Sequence, residues 1–272
     1  MPDLALSDVT LHYEIGGDGP PLMLLAGMVS DSASWAPLIE RLEARFAVIR
    51  PDNRTTGRTR PWDAPVSLAA MAGDAAALIE ALGHGPAHVA GHSMGGLIAM
   101  ELASARPDLV SRLTVMASAP MRMARNAFLF RTLLALRAEG MADDLWLRAL
   151  FPWLFHPAAF DLPEQIEAGI RAGLDYPHAQ SAEAMAQQVA ALEAYDPAGL
   201  APRVQVPTLA LLAENDALIP EAEARAALAA LPDVRIETVP RAGHSLHWDV
   251  PQAVAEALIR FSGVDGASAS AR

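Results

Sequence analysis

The chain has 272 residues, a hydrophobic content of 52% and a formal net charge of −12 at neutral pH. This apolar fraction is enough for a large buried core, and the length fits one large α/β domain or a core with an insertion. The acidic balance argues against nucleic acid and anionic membranes as partners, because both bind through clustered cations. The sequence contains no cysteine, which excludes disulfides and thiolate metal sites.

The amino terminus shows neither the basic region nor the apolar core of a secretory signal peptide. No run of the sequence approaches the roughly 18 apolar residues that a membrane-spanning helix needs. The absence of cysteine also fits a reducing compartment. We therefore expect a cytoplasmic protein.

Hydrophobic periodicity predicts that strands and helices alternate along the first part of the chain. An N-terminal hairpin is predicted over residues 4–15, followed by a glycine-rich turn. Further strands are predicted at 22–26, 46–51, 87–92 and 112–118, and helices near 34–44, 67–82 and 95–105. This alternation is typical of a mostly parallel sheet covered by helices on both faces. Right-handed crossovers place the carboxyl ends of the parallel strands along one edge, where ligands bind.

Residues 121–203 interrupt this alternation, because they contain helical patterns and no convincing strand. The predicted helices lie near 124–139, 141–150, 163–173 and 182–195, and strands resume at 208–213 and 234–239. We interpret the segment as a helical cap over the binding edge of a core that consists of residues 1–120 and 204–262. The small and polar residues 263–272 are predicted to form a disordered tail.

The most informative motif is Gly91-His92-Ser93-Met94-Gly95, which is followed by Gly96. A short apolar strand precedes the motif, and a helical run begins directly after it. A serine at such a strand–turn–helix junction lies on a strained turn that exposes its hydroxyl. Serine as an ordinary helix N-cap would not require the flanking glycines. The pattern therefore predicts that Ser93 is a nucleophile.

A serine nucleophile needs a histidine as base and a carboxylate that orients the histidine. Glu214 and Asp216 follow the strand that resumes the alternation, and His244 and His247 follow the next strand. Because the ends of parallel strands share one edge of the sheet, these groups are expected to converge on Ser93. Spacing alone does not decide between Glu214 and Asp216 as the carboxylate, or between His244 and His247 as the base.

Five motifs together resemble those of the α/β-hydrolase superfamily: residues 24–28, 52–58, 91–96, 214–216 and 242–244. The resemblance covers roughly residues 4–262. Within the superfamily the chain is most similar to small bacterial esterases and lactonases of the 3-oxoadipate enol-lactonase or polyketide methylesterase type. The resemblance implies an α/β fold with a mostly parallel eight-stranded sheet and a helical cap insertion. It also implies that Ser93, Asp216 and His244 are the catalytic residues.

The resemblance further implies an oxyanion hole made of the main-chain N–H groups of Met28 and Met94. Met94 follows the nucleophile at the start of a helix, and Met28 lies in the loop after a buried strand. The sequence departs from the family at Ala26, where many relatives have a histidine, and at Thr55, where a glycine is usual. Main-chain donors do not need that histidine. The loop around Thr55 is interpreted as structural.

The cap is rich in large apolar side chains, which favours a mainly hydrophobic substrate. Trp153 and Phe128 are predicted to line the pocket. An enol-lactone substrate carries a carboxylate, for which Arg125 is the predicted partner, with Arg122 and Arg131 as alternatives.

We therefore expect a serine hydrolase that cleaves a carboxylic ester or a lactone through an acyl-enzyme on Ser93, without a cofactor or a metal. A cofactor-free perhydrolase or haloperoxidase-like enzyme, or a carbon–carbon bond hydrolase, would use the same triad. A ligand-binding protein without turnover is a further alternative. The expected partner is a small-molecule ester or lactone, not nucleic acid or a membrane. Both a monomer and a homodimer are compatible with the sequence.

Overall fold

The computed structural model describes residues 2–264, in which eight strands form one sheet. The strands are β1 (Asp3–Ala5), β2 (Thr10–Gly16), β3 (Pro21–Leu25), β4 (Ala47–Pro51), β5 (Ala87–His92), β6 (Val110–Met116), β7 (Thr208–Ala213) and β8 (Val234–Val239). Their order across the sheet is β1-β2-β4-β3-β5-β6-β7-β8. Strand β2 is antiparallel to β1 and β4, and all other neighbours are parallel. The predicted mostly parallel, eight-stranded sheet is confirmed.

The described part of the chain contains ten α-helices. They are α1 (Ala36–Glu43), α2 (Leu68–Leu82), α3 (Met94–Ala105), α4 (Ala124–Ala138), α5 (Asp143–Leu154), α6 (Pro163–Leu174), α7 (Ala182–Ala194), α8 (Glu221–Leu228), α9 (Leu246–Asp249) and α10 (Pro251–Ser262). Short 3-10 helices occupy Ser32–Trp35, Pro107–Leu109, Pro157–Asp161 and Ala201–Arg203. Among the described residues, no helix is long and apolar enough to cross a membrane.

Helices cover both faces of the sheet, because side chains along a buried strand point alternately to either side. In β5, Val89 belongs to the apolar cluster that α2 and α3 complete. Its neighbour Ala90 belongs to the cluster on the opposite face, which α1 and α10 complete. The central strands β3, β5 and β7 are buried along almost their whole length. The sheet is therefore a rigid support for the loops at its carboxyl edge.

Helices α4 to α7 lie between β6 and β7, where the sequence predicts the cap. They have an apolar cluster of their own, made of Leu133, Trp146, Leu150, Met185 and Val189. Met28 and Val29 of the core pack against this cluster, so the cap is seated on the loop that follows β3. Polar contacts add to this seat, such as the hydrogen bond of 2.8 Å from Asn126 Nδ2 in α4 to the Leu218 carbonyl of the core.

Several elements begin or end a few residues away from their predicted bounds. The strand predicted at 112–118 is β6, which ends at Met116 because Ala117 has a positive φ of 46°. The predicted disordered tail falls mostly on residues 265–272, which lie outside the described residues. The two described residues of that segment are Gly263, whose left-handed conformation ends α10, and Val264.

Candidate active site

Ser93 lies at the turn between β5 and α3, with a φ of 54° and a ψ of −120°. A non-glycine residue in this region is strained, and such strain is typical of a nucleophile elbow. The turn is possible only because its neighbours lack side chains. A Cβ at Gly91 would collide with the carbonyl of Gly95, and a Cβ at Gly95 would collide with the carbonyl of Leu25.

The structure brings Ser93, His244 and Asp216 into hydrogen-bond contact. The Ser93 Oγ atom lies 2.9 Å from His244 Nε2, and His244 Nδ1 lies 2.9 Å from Asp216 Oδ2. Because a carboxylate only accepts, Nδ1 carries the proton in this arrangement, and Nε2 is left to accept the serine proton. The Asp216 side chain is fully buried. Its Oδ1 atom accepts hydrogen bonds of 2.8 Å from the main-chain N–H groups of Leu218 and Ile219.

The two alternatives that the sequence left open, Glu214 and His247, have no hydrogen bond to these residues. Glu214 accepts a hydrogen bond from the main-chain N–H of Arg241, at the surface. His247 is in α9 and is buried, with its ring 5.0 Å from that of Trp35 and 4.6 Å from that of His92. Asp216 and His244 are therefore the carboxylate and the imidazole that form the series of hydrogen bonds to Ser93. No group of three or more metal-ligating side chains within residues 2–264 is arranged to hold a metal ion.

His92, inside the elbow, contacts the candidate base from behind. Its Nε2 atom donates a hydrogen bond of 2.8 Å to the main-chain oxygen of His244, and the two rings are 4.9 Å apart. Burial, and then the neighbouring His244, lower the pKa of His92 to about 3. The ring is therefore neutral at physiological pH and brings no second positive charge beside the base. The sequence indicates only that this side chain packs under the turn.

Asp249 joins the His244 loop to the cap. Its Oδ2 atom accepts hydrogen bonds from the main-chain N–H groups of Gly243, at 2.7 Å, and of His156, at 3.0 Å. The loop and the end of α5 are so close that a Cβ at Gly243 would lie 2.6 Å from the His156 nitrogen. Burial raises the pKa of Asp249. Nothing in the sequence indicates this link, because its two halves are far apart along the chain.

Met28 and Met94 both border the cavity beside Ser93. Met94 is the first residue of α3, where a main-chain N–H has no partner within the helix. The loop of Met28 reaches the elbow through Gly27, at which a Cβ would lie 3.1 Å from Ser93 Cβ. Within the described chain, neither main-chain N–H donates to a protein acceptor. Both are available to an anion next to Ser93, and their predicted role in an oxyanion hole stays a prediction.

The departure from the family at Ala26 is accommodated by the core. Ala26 is buried in the apolar cluster of Trp35 and Leu24. Its carbonyl oxygen accepts a hydrogen bond of 2.9 Å from Asn53 Nδ2. This bond holds the start of the Met28 loop to the loop after β4, so that the absence of a histidine does not leave the loop unsupported.

The loop after β4 has a structural role, as its sequence suggests. Arg54 is buried and forms ion pairs with Asp8, at 2.5 Å, and with Asp74 of α2, at 2.6 Å. Thr55 has a φ of 70°, which explains why relatives favour glycine at this position. The guanidinium of Arg54 keeps the loop fixed between the core and α2.

A cavity of about 850 Å³ opens above Ser93, between the carboxyl edge of the sheet and the cap. Both methionines of the candidate oxyanion site and the triad members Ser93 and His244 belong to its wall. Most of the other lining side chains are apolar, among them Leu97, Met121, Phe130, Trp146, Leu150 and Phe151. The volume lies within the range of small-molecule sites in proteins.

Three sequence-predicted pocket residues do not line this cavity, and the prediction for Phe128, Trp153 and Arg125 is corrected here. Phe128 is 75% exposed on the outer side of α4. Its place inside is taken by Phe130, because two residues along an α-helix correspond to about 200° of rotation. Arg125 donates to the Ala217 carbonyl, and its guanidinium stacks on the Trp153 ring at 5.8 Å. The alternatives Arg122 and Arg131 do border the cavity.

Comparison with known proteins agrees with this architecture. Residues 22–257 match the model of the alpha/beta hydrolase family. The chain is similar to a protein of Azorhizobium caulinodans named "Putative carbamate hydrolase RutD", with 34% identity over 97% of this chain and 98% of the relative. A thermophilic esterase of Thermogutta terrifontis, solved with malate bound, has 25% identity and a TM-score of 0.83, and the match covers 96% and 98% of the two chains.

The enol-lactonase of Burkholderia xenovorans LB400 has a TM-score of 0.85 over 96% of this chain and 99% of its own, at 23% identity. At this identity the likeness concerns the fold. The elbow at Ser93, the order of the triad residues and the family match over most of the chain lead to one conclusion. The chain belongs to the alpha/beta hydrolase family, and it is a hydrolase by this membership.

Proposed function

We propose that the protein is a serine hydrolase of carboxylic esters or lactones that acts through an acyl-enzyme on Ser93. The observation that carries the proposal is the continuous hydrogen-bonded series from Ser93 Oγ through His244 to Asp216, at 2.9 Å for each contact, at the floor of an apolar cavity. A hydroxyl, an imidazole and a buried carboxylate in this order are the parts that nucleophilic acyl transfer requires.

In the first half of the reaction, Ser93 Oγ attacks the carbonyl carbon while His244 Nε2 takes the serine proton. The oxygen of the carbonyl becomes an anion, and the N–H groups of Met28 and Met94 stabilise it. Asp216 stabilises the imidazolium that has formed and keeps Nδ1 protonated. His244 then gives its proton to the leaving alcohol oxygen as the ester bond breaks, which leaves the acyl group on Ser93.

In the second half, a water molecule replaces the alcohol. His244 takes one proton of the water, whose oxygen attacks the acyl carbon. The bond to Ser93 Oγ breaks, the proton on His244 returns to the serine, and the carboxylic acid leaves. For a lactone the leaving alcohol remains attached to the acyl group, so that both products are one hydroxy acid.

The apolar wall supports an ester or a lactone with a substantial hydrocarbon part. A carbamate is the second candidate, because the relative of 34% identity is named for carbamate hydrolysis. A carbamate ester can undergo the same acyl transfer. A small polar carbamate would leave most of the 850 Å³ cavity without contacts, and apolar burial supplies much of the affinity in such sites.

The test uses p-nitrophenyl esters with two to twelve acyl carbons, the matching N-alkyl carbamates, and the variant Ser93→Ala. The control is Ser104→Ala, which removes a serine from the far end of the same helix α3. The proposal expects ester turnover that falls on the order of 10⁶-fold in kcat in Ser93→Ala and is unchanged in Ser104→Ala.

Turnover of the carbamates alone would move the assignment to the second candidate. Peroxide-dependent turnover in acetate buffer without ester cleavage would support the perhydrolase alternative and contradict the proposal. Ordinary activity of Ser93→Ala would contradict every mechanism with a serine nucleophile.

A further inference from the structure

One part of the cavity wall is polar and takes no part in the triad. It consists of Asp31, in the loop that continues from Met28, and of Tyr176 and Gln180, in the segment between α6 and α7. All three line the cavity, and Thr56 and Gly57 complete the same wall. Asp31 and Gln180 are at least nine-tenths buried, with 5% and 9% of their surface exposed.

Hydrogen bonds join Tyr176 to Asp31, and Gln180 to the loop whose Gly57 lies against Asp31. The Tyr176 hydroxyl donates to Asp31 Oδ2 at 2.7 Å. Gln180 lies four residues further along the same segment, and its Nε2 atom donates to the Thr55 carbonyl at 3.1 Å. The chain of Gly57 passes so close that a Cβ there would lie 3.0 Å from Asp31 Oδ2.

The Gln180 side chain has an unused acceptor. Since the Thr55 carbonyl oxygen only accepts, the nitrogen of the amide must face it, and the orientation of the amide is fixed. The Oε1 atom is buried and has no hydrogen-bond partner within the described chain. A buried acceptor without a partner is unfavourable, and a donor of a ligand would satisfy it.

Asp31 adds a negative charge to this acceptor. Its Oδ1 atom accepts from the Ala33 N–H at 2.9 Å, and no arginine of residues 2–264 forms an ion pair with its carboxylate. Arg58, whose charge acts on Asp31, forms ion pairs with Asp52 and Glu14. Burial raises the pKa of Asp31, while the Tyr176 hydroxyl and the charge of Arg58 oppose this shift.

We propose that Asp31, Tyr176 and Gln180 form a subsite that binds a hydrogen-bond-donating group of the substrate, and that an ammonium group is preferred there over a hydroxyl. Gln180 Oε1 and the free lone pairs of the Asp31 carboxylate and the Tyr176 oxygen all accept. A carboxylate in the same place would face acceptors and an anion, so the subsite rejects it. The substrate would thus be an ester or lactone with an apolar body and an amino or hydroxyl group at one end.

The inference rests on the proposed function only in assigning the bound group to a substrate. Its test therefore uses the Ser93→Ala protein, which holds a ligand without turnover. Titration calorimetry compares four ligands of equal chain length: hexylammonium, hexyltrimethylammonium, 1-hexanol and hexanoate. The trimethylated cation keeps the charge and has no N–H donor, so it separates donation from charge without any change in the protein.

Hexylammonium is expected to bind about tenfold more tightly than 1-hexanol and than hexyltrimethylammonium, with hexanoate the weakest ligand. In Ser93→Ala with Asp31→Asn, the advantage of hexylammonium over 1-hexanol should disappear. The asparagine Oδ1 still accepts from the Ala33 N–H, and its Nδ2 takes the place of Oδ2 and donates to the Tyr176 oxygen, so the turn is kept. The matched control is Asp196→Asn, because Asp196 makes the same turn contact to the N–H two residues on, at 3.1 Å, outside the cavity.

Equal affinity for the four ligands, tighter binding of hexanoate, or an Asp31→Asn protein that keeps the full preference for hexylammonium would each overturn the subsite. Tighter binding of 1-hexanol than of both cations would overturn the proposed preference for ammonium. The subsite would then bind a neutral hydroxyl donor. None of these results changes the outcome of the ester assay with Ser93→Ala, so the failure of the subsite is distinct from the failure of the proposed function.

Discussion

The Nε2 atom of His92 donates a hydrogen bond of 2.8 Å to the main-chain oxygen of His244, so that the residue before the candidate nucleophile holds the main chain of the candidate base. The bond joins two loops that are 152 residues apart in the sequence. It also fixes the proton of the His92 ring on Nε2, because a carbonyl only accepts.

Replacement of His92 by leucine should therefore lower kcat by about tenfold and change KM little. The leucine leaves the His244 carbonyl without its donor, which costs about 1–3 kcal/mol and loosens the base. His92→Gln supplies an amide donor whose Nε2 has a reach similar to that of the ring Nε2 and should restore part of the loss. Ester kinetics of the two variants, with the exposed His84→Gln as control, measure the effect. An equal loss of kcat in His92→Leu and His92→Gln would contradict a positioning role of the donor.

Gly27→Ala should reduce kcat several-fold, because the new Cβ would lie 3.1 Å from Ser93 Cβ and 3.2 Å from His92 Nδ1. The neighbours are held by the elbow, so the Met28 loop must move away from Ser93 and take its N–H with it. Gly73→Ala is the matched control, since a Cβ at this position in α2 meets nothing within 4 Å.

In Gly73→Ala, activity should be unchanged and the free energy of unfolding should rise by about 0.5–1 kcal/mol, as expected for a glycine inside a helix. Steady-state kinetics and urea unfolding of both variants test the pair. Unchanged kcat in Gly27→Ala would argue against a role of this loop in catalysis.

Phe130 and Phe128 give a matched pair of cap residues. Phe130 lines the cavity, while Phe128 is exposed on the other side of α4. Phe130→Ala should shift the preferred p-nitrophenyl ester to a longer acyl or bulkier alcohol group, since it enlarges the apolar space. Phe128→Ala should leave the preference unchanged. A shift of the same size in both variants would contradict the assignment of Phe130, and not Phe128, to the face of α4 that lines the cavity.

The stability of the fold should fall steeply in acid because of buried histidines. Burial lowers the pKa of His88 and His92 from 6.5 to about 3. A folded-state pKa below the unfolded value means that the unfolded chain binds more protons. Their contribution to the free energy of unfolding is complete above pH 6.5 and is lost as the pH falls toward 3.

In this window, each such histidine makes the free energy of unfolding fall by about 1.4 kcal/mol for each unit by which the pH falls. Urea unfolding at several values of pH should therefore give a smaller slope for His88→Leu than for the unmodified protein, by about that amount. The His88 Nε2 atom is also hydrogen-bonded to the Thr114 hydroxyl at 2.8 Å, so the absolute stability of the variant will change as well. The slope is the diagnostic quantity, and an unchanged slope in His88→Leu would contradict a neutral buried ring.

The sequence predicts the sheet, the elbow and the three triad residues, because each of these depends on local patterns. Strand ends can be located from apolar runs, and parallel strands carry their ends to one edge. These patterns therefore place Ser93, Asp216 and His244 at the same edge of the sheet. The choice against Glu214 and His247 needed the family motif, since spacing does not distinguish them.

The supports of the site could not be predicted in the same way. The acceptor role of Asp249 depends on the approach of α5 to the Gly243 loop, and residues 93 positions apart carry no local signal of it. Hydrophobic periodicity also fails to identify the buried faces of the cap helices. Helix α4 has apolar residues on several faces, such as Phe128, Phe130 and Leu133. The pattern therefore does not show which face meets the cavity, which Phe130 lines and Phe128 does not.

The most direct test of the mechanism is to look for the acyl group on Ser93. A p-nitrophenyl ester is mixed with the protein, quenched in acid during the first turnover, and digested for mass spectrometry. The mechanism predicts that the peptide containing Ser93 gains the mass of the acyl group, and that the gain disappears in Ser93→Ala together with turnover. Continued turnover in Ser93→Ala, or an acyl group on another residue whose removal abolishes turnover, would contradict it.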